Sequence, residues 1–216
     1  MKKLTKSSLE ELAQTMPVLS EMEQRMCIGG DLVIVDRKGY VVPLDSNPDL
    51  MHSISGAAKV NDDSHTYWYV YDDGKIYGSH VGEGTVRRNG GEDGSTNLLD
   101  LEGTAINKDS LAFLGRNTIV EWGMVQNQSG NYGRMATMNS KDQAPAQEIW
   151  DGYNTYYHTH PYRNDGKYGP SKEDKASISG FAKNGYKKCT VYEARLKEWI
   201  VYYGEKEDGE IYENEM

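Results

Sequence analysis

Hydrophobic and polar positions along this chain fall into short runs separated by glycine, proline, asparagine and aspartate. Residues 32–35, 40–43, 67–71 and 76–77 are β-branched or aromatic runs of strand length, with Arg37-Lys38-Gly39 and Asp72-Asp73-Gly74 as turns. Residues 87–94 are polar and glycine-rich and read as a loop; no Lys-Ser/Thr pair follows, so this is not a phosphate loop. Further on, residues 118–125 form an apolar, β-branched run with 133–138 as its hairpin partner, and residues 153–157 form an aromatic strand. The spacing then predicts a helix over 174–184 closed by Gly185, and a β-hairpin of 188–192 and 198–203 turning at 194–197. The acidic tail from Glu205 reads as frayed. Strands outnumber helices, no repeat is present, and the length suits one domain with its own core.

The first thirty residues follow a different pattern. Leu9, Leu12, Met16, Leu19, Met22 and Met26 recur at three- and four-residue steps, the signature of an amphipathic helix that Pro17 can bend. Lys2, Lys3 and Lys6 resemble the start of a signal peptide, but no apolar run of the required length follows. The segment ends in Cys27-Ile28-Gly29-Gly30, and small residues let an extended backbone enter a narrow protease groove. A short helix with a Gly-Gly C-cap gives the same pattern. The segment resembles the double-glycine leaders of precursors exported by peptidase-containing ABC transporters, and residues 17–25 are similar to Bacteroidetes leaders. That likeness implies cleavage after Gly30 and a product secreted from a bacterial cell.

Charge narrows the choice of partners. The formal net charge is −9. Within residues 1–30 the four bases Lys2, Lys3, Lys6 and Arg25 offset Glu10, Glu11, Glu21 and Glu23, so the rest carries all of it. An acidic chain lacks the basic footprint that nucleic acid requires. No stretch has the apolar length of a membrane span. With Cys27 removed in a leader, Cys189 stands alone, which excludes an internal disulfide and reads as a small buried hydrophobe.

The chemistry concentrates in His158-Thr159-His160-Pro161 and Ser171-Lys172-Glu173-Asp174. Histidines two apart on a strand point to the same side, so both rings can reach one ion. Asp174, in the first turn of the following helix, returns a hard oxygen ligand across a turn-rich loop. Three protein ligands leave a fourth position for water, the open coordination of a catalytic zinc. Ser-x-x-Asp after a proline is also a helix N-cap arrangement, with Ser171 capping and Asp174 favoured at the positive helix end. A general base is still needed. Glu121, a lone acid within an apolar strand, is the candidate, and Glu148 is the reserve.

Glu121, His158, His160, Pro161, Ser171 and Asp174 together resemble the signature of the JAB/MPN/JAMM metallopeptidases, an upstream Glu, His-x-His-Pro and Ser-x-x-Asp. The likeness covers residues 117–203. It departs at the loop, where residues 161–170 make a longer gap between the second histidine and the serine than is usual for the family. The resemblance implies an α/β, cytidine-deaminase-like layered mixed sheet with few helices. In that frame residues 1–30 are the leader, 31–110 a strand-rich N-terminal extension, and 111–216 the JAB-like core. It implies zinc on His158, His160 and Asp174, Glu121 as general base, and Ser171 as the hydroxyl that stabilises the oxyanion. The activity implied is that of a peptidase or isopeptidase acting on a protein or peptide. Residues 36–42, followed by Pro48-Asp49-Leu50, are also similar to the opening of JAB-like domains in bacterial polymorphic toxins, which brings in a toxin role and a cognate immunity protein. Two other readings stay open: an exported binding or signalling protein with a degenerate site, and a metal-dependent phosphodiesterase or nuclease.

Overall fold

The computed structural model describes residues 31–43, 47–54, 64–90, 99–145, 155–162, 168–182 and 188–203. The expected leader, Glu148, the far end of the 87–94 loop, the Gly185 cap and the acidic tail lie outside them. The protein is a mixed α/β structure with two sheets. A three-stranded sheet has β1 (Asp31–Val35) parallel to β2 (His65–Asp72) and β2 antiparallel to β3 (Lys75–Glu83). The larger sheet has seven strands: β4 (Val86–Gly90), β5 (Leu99–Gly103), β6 (Gly123–Gln126), β7 (Gly133–Thr137), β8 (Thr155–His160), β9 (Lys188–Glu193) and β10 (Glu198–Tyr203). Their order across the sheet is β10-β9-β8-β6-β7-β5-β4. Every pair is antiparallel except β8 and β9.

Three helices complete the described chain. They are α1 (Pro48–Ile54), α2 (Lys108–Asn117) and α3 (Lys172–Ala182). The small sheet is covered on both faces. Ile34, Tyr67 and Tyr69 pack with Leu50 and Ile54 of α1, while Val35, Trp68 and Val70 join Leu111, Phe113 and Leu114 of α2, together with Trp122, Met124 and Met135 of the large-sheet side. Alternation along β2 therefore serves two cores, and α2 is the layer between the sheets. The capping box of Asn107 and Ser110 starts α2, with Asn107 Oδ1 accepting from Ser110 N at 3.1 Å and Ser110 Oγ from Asn107 N at 3.0 Å.

Several expectations need correction. Residues 87–90 belong to strand β4, whose exposed Arg87 and Arg88 suit the edge of a sheet better than a core strand pattern. Residues 40–43 supply only an isolated bridge from Val41 to Val35. The expected strand at 118–125 is paired only from Gly123. Thr118 ends α2 by donating its N–H to Leu114 O, and Glu121 lies in the loop that follows. The hairpin of β9 and β10, the β6–β7 pair and the helix beginning after Ser171 follow the sequence reading. Helices α1 and α2 and strand β5 have no counterpart in it.

Candidate metal centre

Strand β8 lies between β6 and β9, and its parallel pairing with β9 is made possible by the crossover through α3. Alternation along β8 separates two jobs. Thr159 faces α2, where its methyl group lies against Gly115; a Cβ at Gly115 would stand 2.8 Å from Thr159 Cγ2. Thr159 N donates to Trp122 O at 2.9 Å, and Trp122 N donates to Thr159 Oγ1 at 3.0 Å, locking the strand end to the loop that carries Glu121. His158 and His160 point the opposite way, and both are buried. Pro161 then ends the strand.

The two imidazoles meet Asp174 from the first turn of α3. His158 Nε2 and His160 Nε2 are 3.3 Å apart. His158 Nε2 lies 3.3 Å from Asp174 Oδ1, and His160 Nε2 lies 3.2 Å from Asp174 Oδ2. Tetrahedral zinc with bonds of about 2.0–2.1 Å sets neighbouring ligand atoms about 3.3–3.4 Å apart. The spacing of the two nitrogens matches that separation, each nitrogen faces a different oxygen of Asp174, and one ligand atom from each of the three residues lies within 4.8 Å of the others, so among the described residues they are the group able to hold a metal ion. Two neutral imidazoles and one carboxylate are a donor set suited to zinc, so the residues fit the ion.

Ser171 and Asp174 form a reciprocal cap at the start of α3. Asp174 N donates to Ser171 Oγ at 2.9 Å, and Ser171 N donates to Asp174 Oδ2 at 2.6 Å. The capping and ligand readings of Asp174 are therefore compatible. The cap uses only a lone pair of the Ser171 hydroxyl and leaves its hydrogen to donate elsewhere. Glu121 is buried, and its Oε1 lies 3.9 Å from His160 Nε2. Its backbone is held from both sides: Glu121 N donates to Ser140 O at 2.8 Å, and Thr137 Oγ1 donates to Glu121 O at 2.7 Å. Glu121 thus approaches the centre from the β6 side while the ligands come from β8 and α3.

Two further residues touch the ligands and were not foreseen. Glu193 ends β9 in register with His160, and its Oε1 accepts from His160 Nδ1 at 2.6 Å and from Gly169 N at 2.9 Å. Tyr202, on β10, places its hydroxyl 3.3 Å from His158 Nδ1. Each histidine is therefore anchored through Nδ1 and presents Nε2 to the centre. Only the final acid of an otherwise strand-like run, Lys188–Glu193, could have signalled Glu193 in the sequence. Its partner His160 is set by a nonlocal pairing.

Electrostatics favour a cation at this point. Burial opposes charge on His160, but hydrogen bonds to Asp174 and Glu193 and the charges of Glu121 and Asp174 outweigh it, holding the pKa at about 9. For His158 burial prevails and the pKa falls. Asp174 would also be raised by burial, yet the hydrogen bonds from His158 and His160 hold it well below the usual carboxylate range. Burial first, and the Asp174 charge second, push the Cys189 thiol up to about 12; as expected, this cysteine is buried. Compared with known protein families, curated proteins and solved structures, the chain has no match.

Proposed function

We propose that this protein is a zinc-dependent peptidase or isopeptidase of the JAB/MPN type. The observation that carries this reading is the union of a three-residue cluster able to hold a metal ion, His158, His160 and Asp174, with a separate buried carboxylate, Glu121, 3.9 Å from His160 Nε2. A bound zinc ion supplies Lewis acidity and brings the pKa of water to about 7. Glu121 takes a proton from the attacking water as the new C–O bond forms, and delivers it to the amine nitrogen as the C–N bond breaks. The Ser171 hydroxyl donates to the oxyanion that develops on the scissile carbonyl. His158, His160 and Asp174 hold the ion, with Tyr202 and Glu193 keeping the rings in place.

In this reading the substrate is a protein or peptide, and the mature chain begins at Asp31 after removal of the leader by a peptidase-containing exporter. A role as a toxin against neighbouring cells, with a cognate immunity protein, rests on the family resemblance alone, at residues 36–42 and Pro48-Asp49-Leu50. The experiment is metal retention. Full-length protein incubated with zinc and desalted should hold one ion per chain by elemental analysis, and His160→Ala should hold none. Wild-type protein that retains no zinc would end the proposal.

A further inference from the structure

Residues 168–170 lead into Ser171 and the helix that carries Asp174. We propose that Glu193 is a positioning residue of this site, tying the ligand on β8 to the chain that enters α3 and its ligand. The inference rests on the metal-site reading above.

Three observations support it. Glu193 is buried, at 4% exposure, so its carboxylate needs partners within the fold. A single oxygen, Oε1, accepts from both His160 Nδ1 at 2.6 Å and Gly169 N at 2.9 Å. The register of β8 and β9 sets Glu193 directly beside His160, so no loop has to carry it there. The bond to Nδ1 selects, once Nε2 has given up its proton to a metal ion, the tautomer whose Nε2 lone pair would face that ion, and it raises the basicity of that ligand. The bond to Gly169, which has φ of +87°, anchors the loop two residues before Ser171, the N-terminal cap of the helix bearing Asp174. Gly169 suits the anchor because glycine takes this left-handed conformation at little steric cost. Glu193 thus serves two of the three ligands, one directly and one through the chain.

Competition between full-length protein and a chelating dye measures the zinc dissociation constant in wild type, Glu193→Gln and Glu193→Ala. Affinity should fall about 10–100-fold, with alanine at the weaker end, as is usual when a carboxylate behind a histidine ligand is removed. Glutamine keeps the size of the side chain and an acceptor oxygen, so its loss isolates the carboxylate's charge from a packing defect. The cobalt-substituted glutamine variant should show a shifted visible absorption band, and the Gly169 amide should exchange faster in the alanine variant. Wild-type affinity and an unchanged cobalt band in Glu193→Gln, or unchanged Gly169 exchange in Glu193→Ala, would overturn the inference and leave the metal site standing. Failure of wild type itself to bind zinc would overturn both.

Discussion

Glu121 and Asp174 are both carboxylates close to His160, yet their surroundings give them different work. Asp174 touches both imidazoles and accepts from its own helix cap, whereas Glu121 stands back at 3.9 Å with its backbone pinned between Ser140 and Thr137. Glu121→Gln should therefore keep zinc while cleavage of a peptide or isopeptide library falls by roughly two to four powers of ten, the usual worth of a placed general base. Loss of zinc in that variant would make Glu121 a ligand instead, and unchanged cleavage would remove it from the mechanism. The two histidines, Ser171 and Asp174 were legible because their chemistry follows from spacing along one strand and one helix turn. Glu193 and Tyr202 were not, because their places depend on which strands become neighbours, and short apolar runs carry no record of that.

At the scale of elements, α2 shows why part of the fold escaped a reading by periodicity. Ser110, Leu111, Ala112, Phe113, Leu114 and Gly115 are all buried in succession, since the helix is enclosed between two sheets. Its exposed polar residues, Lys108, Asp109 and Arg116, are confined to the two ends, so the buried middle shows no three-to-four-residue rhythm. Strand β4 was missed for the opposite reason, an edge strand rich in exposed polar residues. The contact of Gly115 with Thr159 links α2 to the site. Because a Cβ there would stand 2.8 Å from Thr159 Cγ2, Gly115→Val should destabilise the protein by about 1–3 kcal/mol in urea unfolding. Thr159 separates the two histidine ligands, so zinc affinity should fall as well. Wild-type stability and affinity in the variant would show that the contact is not tight.

The whole molecule is held by a core shared between the two sheets, and His80 reports on it. Its ring stacks on Phe113 of α2 with centroids 5.6 Å apart, and its Nε2 is buried with no partner among the described residues. Burial lowers its pKa below 6.5; the Asp109 charge works against that shift, and the Arg116 charge adds to it. The unfolded chain therefore takes up a proton more readily, and this contribution to stability is present above about pH 6.5 and is lost as the pH falls through the folded pKa. His80→Phe should flatten the acid limb of a stability-against-pH curve measured by denaturant unfolding. An unchanged slope would mean that the ring titrates alike in the folded and the unfolded chain. At this scale the mixed α/β class follows from the element pattern, whereas the parallel pairing of β8 with β9 and the division into two sheets do not, since only long-range pairing sets them. Among the described residues no helix is long and apolar enough to cross a membrane.

The central claim is a three-ligand zinc centre on His158, His160 and Asp174, and zinc-edge X-ray absorption on protein loaded with one equivalent of zinc addresses it most directly. The expected spectrum has a four-coordinate nitrogen and oxygen shell at about 2.0–2.1 Å. Outer-shell scattering from two imidazoles should also be present, and it should be lost together with the zinc in His158→Ala. A sulfur shell at about 2.3 Å, or scattering unchanged by His158→Ala, would contradict the account.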